Sequence, residues 1–318
     1  MNKINKSMKI NRVGNYNTGF KYYKNKIEIT NEDDIEKIRL LKIPPAYENV
    51  IIINNKKIIA YGYDSKNRKQ VLYNPAFIAK QNAKKYNKIA ASVNIFTKLK
   101  KKIAADLNSG DEKIKAIAII ITLILTCGFR IGNKKYEKEN NSVGLTTLKY
   151  KHLKFENNKC LIDFIGKKGV RNTAFCDNNK IYEYLYNKYK KSAAEDYVFT
   201  YGDVDVKIIT SSDVNEYLKI NSKLYSKGDD IIITTKDLRT WNANTLFIQY
   251  YNKLKKRKDA GAAGAYGDVD DVKRDKENKK DIKKAIELVA EKLHNTYSIC
   301  KKSYIDPEII ANAEKQIK

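Results

Sequence analysis

The stretch Cys127-Gly-Phe-Arg130-Ile-Gly132-Asn133-Lys-Lys-Tyr136-Glu-Lys-Glu-Asn-Asn-Ser-Val-Gly144-Leu-Thr-Thr-Leu148 stands where the chain changes character. Before it, Ala116 to Cys127 is the longest apolar run, closed by Gly128. Its twelve residues are too few to cross a bilayer, so a buried helix is expected over Ile114 to Cys127. Ser109, with Glu112 three residues later, reads as the capping-box start of that helix. After the stretch the period shortens towards two. Leu148, Leu153 and Phe155 precede a Glu156-Asn-Asn-Lys159 turn, Cys160 to Ile165 alternates, and Val170 to Phe175 returns. Gly166-Lys167-Lys168-Gly169 forms the tip of that hairpin.

Working outward, helices resume at Lys180 to Lys191, Ser212 to Tyr225 and Thr235 to Lys253. Lys255 to Lys280 reads as a flexible linker, Ala- and Gly-rich and then densely charged, with little apolar content to pack. Ile282 to Leu293 is an amphipathic helix, and Pro307 opens a short last one. Upstream, Phe77 to Lys102 has apolar residues at helical intervals. Val50 to Ile53, Ile58 to Tyr63 and Arg68 to Tyr73 read as three strands separated by the Asn54-Asn55 and Asp64 to Asn67 turns. Residues 1 to about 40 are basic and Asn-rich, and are expected to be only partly ordered. The fold class is α+β. A small β-rich N-terminal domain (1–85) precedes a mainly α-helical domain (86–318) that carries the β-hairpin, with the insertion at about 255–280.

Composition narrows the function. Lys and Arg total 63 against 37 Asp and Glu, a formal net charge of +26, which draws the chain to polyanions. With 42% hydrophobic residues there is material for a core. The two histidines, His152 and His294, and the scattered Cys127, Cys160, Cys176 and Cys300 form no zinc-type spacing. Four unclustered cysteines fit a reduced, intracellular protein. Met1 to Arg12 has no apolar region and is not read as a signal peptide. No Gly-x-x-x-x-Gly-Lys-Ser/Thr phosphate loop occurs, and the glycines at 261, 264 and 267 follow no strand.

A series of basic residues ends in a tyrosine. Arg130 lies in the opening stretch, Lys167 in Ile165-Gly-Lys167, and Arg239 in Lys236-Asp-Leu-Arg239-Thr-Trp241. The last piece is Leu293-His294-Asn295-Thr-Tyr-Ser-Ile-Cys-Lys-Lys-Ser-Tyr304. Each piece alone is ordinary, as a cap, an edge lysine, an ion-pair arginine or a packed tyrosine. Together and in this order, over roughly residues 43 to 310, they resemble the type IB DNA topoisomerases of the compact poxvirus-like and bacterial-like kind. Pro44-Pro-Ala-Tyr47 and Gly62-Tyr-Asp64-Ser-Lys-Asn-Arg68-Lys-Gln70 look like the same family.

The resemblance implies a catalytic set of Arg130, Lys167, Arg239, Asn295 and Tyr304. The fourth position lies nine residues before the tyrosine, which selects Asn295, as in the bacterial form, over His294. The family lysine directly follows the hairpin glycine, which selects Lys167 over Lys168. The implied reaction is transient cleavage of one strand through a 3′-phosphotyrosyl bond, followed by religation, without ATP, metal or other cofactor. The implied partner is double-stranded DNA, clamped by a monomer, with no membrane. Gln70, Tyr73, Asn133, Lys135 and Tyr136 are implied DNA contacts, with Val71 standing where the family has an aromatic. The expected location is intracellular and DNA-associated, and for a viral protein the virion or the infected-cell cytoplasm. Two alternatives stand beside this reading. A tyrosine recombinase usually has His-x-x-Arg, where Lys236 precedes Arg239 here, and an all-helical N-terminal domain. A non-catalytic DNA-binding protein would be expected to lack one of the five residues.

Overall fold

A computed structural model describes residues 9–226, 231–261 and 271–315. The chain divides into two compact units, Met1–Asn87 and Lys88–Lys318. In the first, β1 (Ile10–Asn15), β2 (Gly19–Lys24) and β3 (Ile27–Glu28) precede α1 (Glu32–Arg39). Then come β4 (Glu48–Ile52), β5 (Ile58–Tyr63), β6 (Lys69–Tyr73) and α2 (Pro75–Ala91), within which the division falls. The six strands form one antiparallel sheet in the order β3-β2-β1-β4-β5-β6. Its core is Tyr22, Ile38, Val50, Ile52, Ile59 and Ala60.

The three strands expected after Pro44 are present, but ordered structure begins at Ile10, not near residue 40. The Asn15 side chain accepts from the backbone of Asn17 and Thr18, and Gly14 and Gly19 take positive φ. That side-chain turn closes a hairpin inside a segment whose polar composition reads as irregular. Arg12 is buried in the sheet. It donates to the carbonyls of Pro44 (3.0 Å) and Tyr47 (2.6 Å) and stacks over Phe20.

The second unit contains α3 (Val93–Asp106), α4 (Glu112–Thr126), α5 (Lys134–Asn140), β7 (Leu153–Glu156), β8 (Lys159–Ile165) and β9 (Arg171–Cys176). It continues with α6 (Asn179–Tyr189), β10 (Thr200–Tyr201), β11 (Lys207–Ile208), α7 (Ser211–Tyr225) and α8 (Thr235–Gly261). The last three helices are α9 (Asp271–Lys292), α10 (Tyr297–Ser303) and α11 (Pro307–Lys315). The apolar run became α4, and eight of its residues are buried at the centre of the main core. Each fully buried Ile or Leu there contributes roughly 1.5–3 kcal/mol by leaving water. β7, β8 and β9 form the expected antiparallel hairpin sheet, in register from Cys160↔Cys176 to Ile165↔Arg171.

Three expectations are corrected. The helix cap before α4 is Asp111, which accepts from the Ile114 N–H at 3.0 Å, while Ser109 only supports Asp111. A carboxylate suits that positive helix end better than a hydroxyl. Phe77 to Lys102 is two helices that meet at Ser92, whose backbone leaves the helical region (φ −96°, ψ 5°) and whose hydroxyl donates to the Lys88 carbonyl (2.6 Å). The expected linker at 255–280 is helical at both ends, since α8 runs to Gly261 and α9 starts at Asp271. The rest of it, residues 262–270, lies outside the described residues. Within that segment Asn278 is buried. It accepts from the Tyr251 hydroxyl (2.6 Å) and donates to the Ala313 carbonyl (2.9 Å). The charged composition hid this, because a helix needs only one packed face.

Candidate active site

Four of the five implied residues converge inside the second unit. Arg130 follows the left-handed Gly128 and the buried Phe129 at the end of α4. Its loop is pinned from the far side of the quoted stretch. The Leu145 N–H donates to the Arg130 carbonyl (3.0 Å), and Thr146 donates to the Ile131 carbonyl through both its N–H and its hydroxyl. Gly132, at φ +81°, and Gly144 cross backbone on backbone, and a Cβ on Gly144 would fall into Gly132 and the Arg130 carbonyl. Both glycines in the motif therefore have a steric cause.

Arg239 is held from α8. Asp237 closes the N-terminus of that helix by accepting from Thr234 through its N–H and its hydroxyl, and it pairs with Lys88 at 2.7 Å. Leu238 enters the main core, and Trp241 stacks on Phe96 at 4.8 Å. This fixes the helix face that aims Arg239 inward. The buried guanidinium donates to the carbonyls of Gly128, Phe129 (2.8 Å) and Leu293 (3.2 Å). It thus joins the loop after α4 to the turn after α9. Burial pulls its pKa down, and no carboxylate is among its hydrogen-bond partners.

His294 and Asn295 take different places in that turn. His294 adopts a left-handed backbone, stacks on Phe129 at 5.2 Å, and donates from Nε2 to the Cys127 carbonyl at 3.0 Å. A carbonyl only accepts, so Nε2 carries the proton. Burial, Arg239, Arg130 and Lys292 hold the imidazole pKa below its usual value against that hydrogen bond, so the ring is neutral at pH 7. Asn295 instead accepts from Arg130 Nη2 at 2.5 Å, and its Nδ2 is buried without a hydrogen bond.

Tyr304 caps α10, and its ring lies 5.6 Å from the Arg239 guanidinium carbon. Burial by itself pushes the phenol pKa up. The Arg239 and Arg130 charges and contacts from Arg239 and Asn295 outweigh it and hold the pKa below the usual value. Arg239 Nε and Asn295 Nδ2 are both buried without a hydrogen-bond partner. Unpaired buried donors cost about 1–3 kcal/mol each. Two of them, on side chains beside a phenol and in a site with an arginine bonded only to carbonyls, leave donors free to pair with anionic oxygens.

The sequence model of the eukaryotic DNA topoisomerase I catalytic core matches residues 66–318. DNA topoisomerase 1B of Acanthamoeba polyphaga mimivirus is 30% identical over 296 residues, covering 89% of this chain and 81% of the relative. DNA topoisomerase I of monkeypox virus is 26% identical over 284 residues, with 86% and 80% covered. DNA topoisomerase 1 of rabbit fibroma virus (strain Kasza) is 25% identical over 277 residues, with 85% and 78% covered. The chain belongs to the type IB DNA topoisomerases.

In this topoisomerase the fifth implied residue, Lys167, stands apart. It is exposed in the short 3₁₀ turn Lys167–Gly169 at the β8–β9 tip, where Lys168 takes φ +63°. No hydrogen bond or ion pair holds it among the described residues. Lys135 and Tyr136 project from α5, Tyr136 being 60% exposed. Asn133 is committed at both ends of its amide, capping α5 through Oδ1 and donating to Ser211. In the first unit Gln70 donates to Asp64 (3.0 Å), and Tyr73 stacks on Phe77 at 5.7 Å.

One functional residue escaped the sequence reading. Asn244, five residues after Arg239 on α8, donates to the Tyr304 carbonyl (3.3 Å), and its Oδ1 accepts from the Asp306 N–H (2.8 Å). It moors the tyrosine to the arginine's own helix. The available signal was an Asn beside Ala243 and Phe247, on a helix face that is buried. Among the described residues no helix is long and apolar enough to cross a membrane.

Proposed function

We propose that Tyr304 is the nucleophile and that Arg130, Arg239, Asn295 and Lys167 serve the scissile phosphate. The phenol, its pKa lowered by Arg239 and Arg130, gives its proton to solvent water; its oxygen attacks phosphorus, the P–O5′ bond breaks, and a 3′-phosphotyrosyl ester forms. The leaving 5′-oxygen takes a proton from Lys167, which stands exposed at the hairpin tip and is free to reach bound DNA. Arg239 Nε and Asn295 Nδ2 donate to the non-bridging oxygens, where negative charge grows. Arg130 orients Asn295 and adds its own charge. Religation reverses each step, and the ester keeps the bond energy, so neither ATP nor metal is required. The observation that carries this reading is that Arg239 and Asn295, the two side chains that contact the Tyr304 phenol, each keep a buried donor without a partner.

DNA binding completes the reading. Lys135 and Tyr136 face the duplex from α5, Asn133 sets the start of that helix, and Gln70 and Tyr73 supply further contacts. The protein works as a monomer on double-stranded DNA, inside the cell where that DNA lies. The decisive test is Tyr304→Phe, which removes one oxygen and little volume. The variant is expected to bind duplex normally and to form no detergent-stable DNA adduct. An adduct in that variant, or a peptide map placing DNA on Tyr297, would overturn the assignment.

A further inference from the structure

α5 is unusual among the helices of its unit. None of its seven residues is buried. It stands over an open cavity of about 870 Å³, lined on the helix side by Lys134, Glu137, Lys138 and Asn141. These positions are spaced i, i+3, i+4 and i+7, so they form one face. Lys135 and Tyr136 lie on the other. None of its own side chains is buried, so polar ties help to hold α5 in place. One is the Asn133 to Ser211 bond at its start (3.3 Å). Another comes from Tyr197, which also lines the cavity and whose hydroxyl donates to Glu137 at 2.9 Å. The Tyr197 ring also has the ammonium groups of Lys134 and Lys149 each 5.4 Å from its centre. Tyr197 itself is firmly placed, bridged to Lys149 and followed by the fully buried Val198 and Phe199.

We propose that Tyr197 is a positioning residue for DNA-site recognition, its hydroxyl fastening Glu137 so that α5 presents Lys135 and Tyr136 in one fixed orientation. The proposal rests on the reading that those two side chains face DNA. A helix without buried residues opens locally at low cost. A hydrogen bond to a charged acceptor shifts such an equilibrium by about 10- to 100-fold. At this half-exposed site the lower figure applies. Tyr197 lies outside the set around Tyr304, so religation of an adduct already formed does not depend on it.

The test compares full-length wild type with Tyr197→Phe, Glu137→Gln, Glu137→Ala, Tyr136→Ala and the Tyr197→Phe/Glu137→Ala double variant. Covalent adducts on a randomised duplex are sequenced, and religation is timed from a preformed adduct. Tyr197→Phe should flatten the preference for the strongest sites about tenfold and speed hydrogen exchange in α5 but not in α8. Religation should stay within about twofold of wild type. Glu137→Gln keeps an acceptor and should retain most of the preference. The double variant should be no worse than Glu137→Ala, the non-additivity of one shared contact. If Tyr136→Ala flattens the distribution and Tyr197→Phe and Glu137→Ala both leave it intact, the role of Tyr197 is refuted. If Tyr136→Ala also leaves it intact, the reading of α5 as the DNA-facing helix fails, and the proposal with it.

Discussion

At the residue scale, the division of labour between His294 and Asn295 turns on what each side chain already bonds. His294 is spent on the Cys127 carbonyl and the Phe129 ring, whereas Asn295 keeps a free donor beside Tyr304. Asn295→Ala is expected to slow single-turnover cleavage by about 10²-fold, as loss of an oxyanion donor does. His294→Ala should cost much less. A reversal of the two in a rapid-quench assay would move the role to His294. Tyr304 gives a pH prediction with a definite sign. Arg239 and Arg130 favour the phenolate, so removing the Arg130 charge should raise the phenol pKa. In Arg130→Gln the alkaline rise of the cleavage rate should therefore shift to higher pH than in wild type. A shift to lower pH would contradict the electrostatic account.

At the element scale, the active-site loop is held by a crossing of two glycine backbones. Gly144→Ala sets a methyl against Gly132 and the Arg130 carbonyl, and backbone cannot move aside as a side chain does. We expect a loss of about 1–3 kcal/mol of stability, the usual range for overpacking, together with slower cleavage. Urea unfolding and single-turnover rates on the same protein check both. The α8–α9 pair calls for a second element-scale prediction. Asn278→Ala leaves the Tyr251 hydroxyl without its Asn278 acceptor and the Ala313 carbonyl without one donor. It should lower stability by about 1–3 kcal/mol, with chemistry from a preformed adduct unchanged. A neutral result would show that the charged end of α9 contributes little packing, as its composition suggests.

At the scale of the whole molecule, a formal charge of +26 meets a polyanion. Log binding affinity for duplex should fall linearly with log salt, by about 0.9 for each phosphate neutralised. Alanine at an exposed lysine on the binding face should reduce that slope by about one. Supercoiled plasmid of either sign should relax in EDTA without nucleotide. A strict need for Mg²⁺ or ATP in that assay would refute the proposed division of charge among arginine, asparagine and lysine.

Local signals were legible in the sequence because they are short-range. The α4 run, the hairpin with its lysine tip and the strands after Pro44 follow from periodicity and turn residues, and the order of the basic residues before Tyr304 stood out through its resemblance to the family. The choice of Asn295 over His294 rested on counting residues from the tyrosine. Packing was not legible, because it depends on partners far along the chain. Cys160 and Cys176 look scattered, yet they are direct neighbours across β8 and β9. The segment at 255–280 looks like a linker, yet Asn278 is tied to α8 and α11. Asn244 looks like a neutral helix residue, yet it holds the Tyr304 backbone. The sequence by itself determined most of the elements of the second unit and, through the family resemblance, the side chains proposed to carry the chemistry. Only the tertiary structure decided which donors are left unpaired beside the phenol, because that depends on every carbonyl that Arg239 and His294 meet once the loops are folded together.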